Sequence, residues 1–364
     1  MSAPDPFSSF ADRDWQTNDP GEPVRLAMVG LGWWVRDEAI PAVEAGEFCE
    51  TSVVVSSSRE KAERVRDETP TAEHAITYEE YHDGVAADGY DAVYICTPNA
   101  THLEYVETAA ELGKDVLCEK PMEASVERAT RMVEVCEDRG VTLMVAYRMQ
   151  TEPAVRRARE LIRDGFVGDP ILVQGHMSDS LLDLIPDPDQ WRLDPELSGG
   201  CSLIDIGIYP LNTTRFLLDA EPVSVQGRTV SVHDAFSEVD EHVTFQIAFT
   251  GDVSAIYSAS HNAYGTSYLK VLGSEGEVTL EPVFFPWDDR EVVLRRGATV
   301  DRITFEQVDQ MEEEFDYFGH SLQSGTEPTP DGRHGLRDVR TIEAVYESAE
   351  EGRWRSVPAD DRLT

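Results

Sequence analysis

From Val24 to about Arg148 the chain alternates short, wholly apolar runs with stretches of helical period, and few folds accept that rhythm. The apolar runs are RLAMVG (25–30), TSVVVSS (51–57), a short one within HAITYEEYHD, DAVYICTPN (91–99), KDVLCEKP (114–121) and VTLMVAYR (141–148). Between them lie helical patterns such as SREKAERVRDET, HLEYVETAAELG and SVERATRMVEVCEDRG. A strand apolar at every position is buried on both faces, as in a parallel sheet covered by helices. The spacing therefore predicts an α/β, doubly wound parallel sheet over 24–148.

After Arg148 the rhythm changes. A helix (153–165) leads to ILVQGHMSD, a Pro/Asp-rich loop (185–191) and the segment SGGCSLIDIGIYPLNTTRFLL (198–218). Strand then follows strand: SVQGRTVSVH, HVTFQIAFTG, VSAIYSASH, SYLKVLGSEGEVTLE and REVVLRRGATVDRITFE, before two closing helices. Strands without intervening helices predict an antiparallel sheet. A chain of 364 residues is long enough for two cores. The expected division is an N-terminal extension (1–23), a first α/β domain (24–148) and a second α/β domain (149–364), with the boundary a natural place for a ligand cleft.

Charge narrows the function. Asp and Glu number 70 against 31 Lys and Arg, a net charge of −39, and only four residues are lysine (61, 114, 120 and 270). The acids are spread over the chain and interleaved with apolar residues, which disfavours a disordered acidic tail. The reading we adopt is adaptation to molar salt, where a Debye length of about 3 Å screens self-repulsion while carboxylates keep the surface hydrated. Nucleic acid is excluded as a main partner, because its phosphates would meet a strongly negative field. The N-terminus has no signal-peptide pattern and no apolar run approaches the ~20 residues of a membrane helix, so a cytoplasmic protein is expected. Cys49, Cys96, Cys118, Cys136 and Cys201 are odd in number and show no CxxC or Cys/His spacing; reduced thiols and no metal site follow.

The first apolar run enters Gly30-Leu31-Gly32-Trp33-Trp34-Val35. Gly30 would permit a tight turn, and Gly32 would let backbone approach a pyrophosphate at a helix N-terminus. Val35 stands where a third glycine is usual, a position concerned with helix–strand packing. An NAD site would carry an acid at the end of the second strand; here Ser56-Ser57-Ser58-Arg59 occurs instead. Ser57, Ser58 and Arg59 suit a 2′-phosphate, so NADP is the expected cofactor, although Ser58 also fits a helix N-cap.

Further constellations sit at strand ends, where ligands of open α/β sheets bind. They are Thr97-Pro98-Asn99 with His102, and Glu119-Lys120-Pro121. A lysine at the end of an apolar strand is costly without a partner. In the second half, Asp205 and Tyr209 lie four apart and share a face if the chain is helical from Ser202. Capping by the aspartate and core packing by the tyrosine are the competing roles.

The ordered set GLG, TPN…H, EKP, AYR and WRLDPELSGG…DIGIY resembles the Gfo/Idh/MocA oxidoreductases over nearly all of 24–355. That resemblance implies a Rossmann domain followed by an α/β domain with a large, mostly antiparallel sheet, whose open face serves a homo-oligomer (dimer or tetramer). It implies that Lys120 is catalytic, with Tyr209 where many members carry histidine. The implied activity is NADP-dependent oxidation of an aldopyranose at C1 to the lactone, D-xylose being the favoured sugar. Glucose, a trans-dihydrodiol, or a non-catalytic NADP-sensing role are the alternatives. In this reading Tyr209 is the base, Lys120 supports the phenolate and Asp205 orients the lysine or a sugar hydroxyl. Glu119 and Asn99 position the nicotinamide ribose, His102, Tyr147 and Arg148 line the cleft, and Trp191 and Arg192 form part of the substrate wall.

Overall fold

The computed structural model describes residues 13–358. The chain divides into two compact units, of which the first comprises Asp14–Thr151 and Asp309–Arg337 and the second Glu152–Val308 with residues 338–358. Of the expected extension, residues 1–12 lie outside the described residues.

The first unit is built on six strands: β1 (Val24–Val29), β2 (Cys49–Ser56), β3 (His74–Thr77), β4 (Ala92–Ile95), β5 (Asp115–Glu119) and β6 (Leu143–Ala146). Their order is β3-β2-β1-β4-β5-β6 and every pairing is parallel. This is the doubly wound arrangement expected from the apolar runs, with its order reversing at β1/β4. Val24 to Val29 are buried apart from the half-buried Arg25, and β4 is buried throughout. Helices start where the sequence offers a cap. Ser58 accepts from Lys61 N ahead of Arg59–Glu68, and Ser125 from Arg128 N ahead of Val126–Arg139. Gly140, at φ 67°, ends the latter in the left-handed conformation.

Helix Gln310–Ser324 returns from late in the chain to this unit. Its Phe315 and Phe318 are fully buried in one apolar cluster with Leu26, Met28 and Phe48. Each such phenyl contributes up to about 3 kcal/mol of burial. The expected boundary at 148 thus leaves out a piece of the first core. Trp15, in a stretch read as an arm, joins the same cluster and packs edge-on against Phe48 and Tyr317.

The second unit holds nine strands: β7 (Pro170–Ser180), β8 (Pro222–Val230), β9 (His242–Phe249), β10 (Ser254–Ser260), β11 (Asn262–Gly273), β12 (Gly276–Glu281), β13 (Arg290–Arg296), β14 (Thr299–Phe305) and β15 (Arg355–Ser356). They run in the order β14-β13-β12-β11-β7-β10-β9-β8-β15. All neighbours are antiparallel except β7 and β10. In β9, Val243, Phe245, Ile247 and Phe249 are buried while Thr244 and Gln246 are exposed, the period-2 alternation of a sheet covered on one face. Helix Ile208–Leu218 covers that face closely: a Cβ on Gly175 of β7 would lie 2.8 Å from Pro210. Among the described residues no helix is long and apolar enough to cross a membrane.

Candidate functional site

In the first unit the predicted nucleotide residues gather at the carboxyl ends of β1, β2, β4 and β5. Gly30 has φ +95°, and a Cβ there would fall 2.1 Å from Cys96 O, so the β1 and β4 ends approach through this glycine alone. Gly32 is different. A Cβ on it meets nothing within 4 Å, so protein packing does not require its bareness, and open space lies over the loop where a phosphate would sit. Leu31 is buried beneath, whereas Trp33 is exposed and stands edge-on to Trp34 at 5.5 Å. The helix that follows opens with a π-helical turn, Val35–Ala39, and Val35 is fully buried, consistent with a packing role at that position.

At the end of β2, Ser58 serves as the N-cap foreseen as its alternative role. Arg59 pairs with Glu80 and donates to Ala75 O, which holds its guanidinium beside β3. Lys61, absent from the motif reading, lies close to further cations: its ammonium is shifted down by partial burial, then by Arg36 and Arg64. Cations crowding one another in so acidic a chain form a local positive field suited to an anion. Arg36 was invisible to strand-end reasoning because it lies one helical turn beyond the glycines.

The β4 and β5 exits are cross-braced. Thr101 Oγ1 donates to Pro98 O (2.7 Å) and meets the Thr97 hydroxyl at 2.9 Å, and Asn99 is 3% exposed. His102 is fully buried, with ring nitrogens 2.9 Å from Thr97 O and 3.1 Å from Met122 O, and burial shifts its pKa down. It shapes the loops from within rather than presenting a ring at the surface. Glu119 is fixed by the Tyr94 hydroxyl at 2.6 Å and by Lys120 N at 3.0 Å, and a cis peptide joins Lys120 to Pro121. Behind them Glu314 is wholly buried, and neither carboxyl oxygen has a hydrogen-bond partner among the described residues. Burial and then the charge of Glu119 push its pKa far up, against the pull of Arg148, which favours the neutral acid. Arg148 is itself buried, donates to Gln310 and lies 6.0 Å from the Trp34 ring; Tyr147 stacks edge-on to His334. A cavity of about 380 Å³ also opens in this unit, but Asp115 and Thr142 in its wall mark the amino ends of β5 and β6, opposite the ligand end.

In the second unit the segment after Gly199-Gly200 forms a π-helical turn, Leu203–Gly207, continuing as helix Ile208–Leu218. From Cys201 to Pro210 every residue is buried except Asp205 and Tyr209, so the two do share the accessible face. The capping role expected as the alternative for Asp205 belongs to Asp240. That carboxylate accepts from Cys201 N (2.8 Å), Leu203 N (2.7 Å) and the Tyr346 hydroxyl (2.8 Å). Gly200 is required by the same tyrosine, whose oxygen would lie 2.0 Å from a Cβ. Tyr209 packs beside Phe284 at 5.7 Å. Asp205 Oδ2 receives Arg192 Nε at 3.1 Å, and Arg192 lies over the Trp191 ring at 4.5 Å. His261, which no motif singled out, stands 3.2 Å from the same oxygen and 2.6 Å from Asp179. Its isolation in sequence, 56 residues beyond Asp205, hid it.

Comparison with known proteins agrees with this division of labour. Residues 24–147 match the model of the oxidoreductase family with an NAD-binding Rossmann fold, and 155–279 that of the GFO/IDH/MocA C-terminal domain. The chain is 60% identical to D-xylose 1-dehydrogenase [NADP(+)] of Haloarcula marismortui, over 94% of this chain and 95% of that protein. It is 33% identical to D-xylose 1-dehydrogenase (NADP(+)) 2 of Haloferax volcanii over 90% of this chain and 97% of that one. Among solved structures, the aldose-aldose oxidoreductase of Caulobacter crescentus, complexed with glycerol, superposes with a TM-score of 0.86 at 30% identity, covering 92% of this chain and all of the other. A parallel six-stranded unit with a glycine turn, followed by a mostly antiparallel unit carrying the Asp205–Tyr209 turn, makes this chain a member of the Gfo/Idh/MocA oxidoreductase family.

Proposed function

We propose that the protein is an NADP-dependent sugar dehydrogenase that oxidises an aldopyranose, D-xylose foremost, at C1 to the lactone. The observation that carries this reading is the 60% identity, over nearly the full length of both chains, to a haloarchaeal D-xylose 1-dehydrogenase [NADP(+)]. The residues fit the cofactor: Gly32 leaves open space at the loop, no acid ends β2, and Arg36, Lys61 and Arg64 supply positive field beside Ser57 and Arg59 for a 2′-phosphate. NADP, when bound there, would supply the hydride acceptor that the oxidation needs.

The chain's own work is proton handling and positioning. Tyr209 accepts the proton of the C1 hydroxyl. Lys120 steadies negative charge developing on the sugar oxygen. Asp205 accepts a hydrogen bond from a sugar hydroxyl, and Trp191 and Arg192 form the wall beside it. Glu119 and Asn99 hold the nicotinamide ribose, supported by Arg148, Tyr147 and the Thr97-Pro98 turn; Leu31, Trp33 and Trp34 flank the phosphates. The buried His102 acts through the loops it braces.

We place homo-oligomer contacts on the face of the second sheet where Gln246, Ile256, Gln174 and Lys270 form a row across β9, β10, β7 and β11. Ile256 is 48% exposed there. A cytoplasmic location agrees with a cofactor confined to the cell interior. The test is NADPH formation with a panel of aldoses in molar salt. Turnover of D-xylose above glucose is expected; no turnover with any sugar or diol overturns the reading.

A further inference from the structure

One of the buried titratable groups outside the motifs stands beside Asp205. His261 occupies the link between β10 and β11 and its side chain is 2% exposed. Nδ1 faces Asp179 Oδ1 at 2.6 Å and Nε2 faces Asp205 Oδ2 at 3.2 Å, while Arg192 Nε meets that same Oδ2 at 3.1 Å. A neutral imidazole donates from one nitrogen only, so two carboxylate acceptors call for the doubly protonated ring. The backbone that carries the ring is pinned. His261 N donates to Ser202 Oγ (3.0 Å), and its carbonyl accepts from Leu181 N (2.9 Å).

The charges around it balance. Asp179 comes from β7, Asp205 from the π-helical turn and Arg192 from the turn Trp191–Leu193, giving two anions and two cations with the imidazolium. The other titratable neighbours are Cys201, whose thiol is pushed up by burial, Asp240, raised by burial and engaged as the helix cap, and Glu241 and His242 on the adjoining strand start. Burial alone would strip the ring of its proton. The hydrogen bonds to Asp179 and Asp205 prevail and raise it to about 9.

We propose that Asp179, His261 and Arg192 form a charge clamp that holds Asp205 as a carboxylate in one orientation, making His261 and Asp179 positioning residues for the sugar site. Its consequence for turnover rests on the dehydrogenase reading above; the charge state of the ring does not. His261 is buried and its partners are only partly exposed, so molar salt screens the clamp less than surface pairs. An Asp205 that rotated or took up a proton would present a different hydrogen-bond pattern to a sugar hydroxyl.

The test is Asp179→Asn, which preserves shape and hydrogen bonding but removes one charge. Histidine ring NMR on the full chain, wild type and variant, reads the protonation of His261, and the pH profile of kcat reads its consequence. In the wild type the ring should stay charged through neutrality and titrate near pH 9. In Asp179→Asn that titration should fall by about one unit or more, and the alkaline limb of kcat should move with it, while NADP affinity stays within about twofold. A neutral wild-type ring at pH 7, or a shifted ring titration with an unmoved kcat profile, overturns the clamp. If Asp179→Asn does not fold, His261→Gln decides: about tenfold loss in kcat with NADP binding retained supports the clamp, and wild-type kcat overturns it. A wild type that shows the charged ring but oxidises no aldose leaves the clamp standing and removes the dehydrogenase reading.

Discussion

Gly30 and Gly32 stand two residues apart and do opposite jobs. Gly30 is demanded by the fold, since its positive φ and the carbonyl of Cys96 leave no room for a methyl group. Gly30→Ala is expected to cost roughly 2–4 kcal/mol of stability, measured by chemical denaturation in molar salt. Gly32→Ala should leave stability within about 0.5 kcal/mol and weaken NADP binding instead, read by fluorescence titration. Lys120→Met and Tyr209→Phe should each lower kcat about a thousandfold while NADP binding persists. At this scale much of the site was legible. GLG, EKP and the Asp205–Tyr209 spacing fall at the turn, strand end and shared face that their patterns predict. Asp179, His261, Asp240 and Glu314 were not legible. Asp179, His261 and Asp240 meet partners tens of residues away, Glu314 lies in the field of Glu119 and Arg148, and nothing local distinguishes them from ordinary core or surface positions.

At the scale of elements, the runs located every strand of the first sheet, most cleanly β4 and β6, which are buried at every position and have no polar residue to blur them. The return of Gln310–Ser324 to the first core had no such signal: an amphipathic helix does not state which sheet it covers. The same holds for the two π-helical turns, whose sequences read as ordinary helix. The β10–β11 link gives stability a pH dependence. The folded state raises the His261 ring from 6.5 to about 9, so its contribution is fully present below about pH 6.5 and is lost as pH rises through about 9. The shift sets an upper size of about 3 kcal/mol. Asp179→Asn is accordingly expected to lower the thermal midpoint at pH 6 by several degrees and to matter much less at pH 10.

On the scale of the whole molecule, the net charge of −39 sets the conditions under which the fold exists. Many of the cations are committed to surface ion pairs, such as Arg25 with Asp91 and Arg128 with Glu104, each worth little on its own. The excess carboxylates repel one another unless salt screens them. Dilution from molar to about 0.1 M salt, where the Debye length grows to about 10 Å, should lower the thermal midpoint and the denaturation midpoint together. The buried pair of Arg215 with Asp338, at 2.8 Å, should respond little to that change. The most direct test of the central claim, that this is an NADP-dependent sugar dehydrogenase working through Lys120 and Tyr209, is a single comparison in molar salt. NADPH formation from D-xylose is followed for the wild type and Tyr209→Phe at equal NADP occupancy. Turnover by the wild type with about a thousandfold loss in the variant is the result expected. Equal rates in the two proteins, or none in the wild type, would contradict the account.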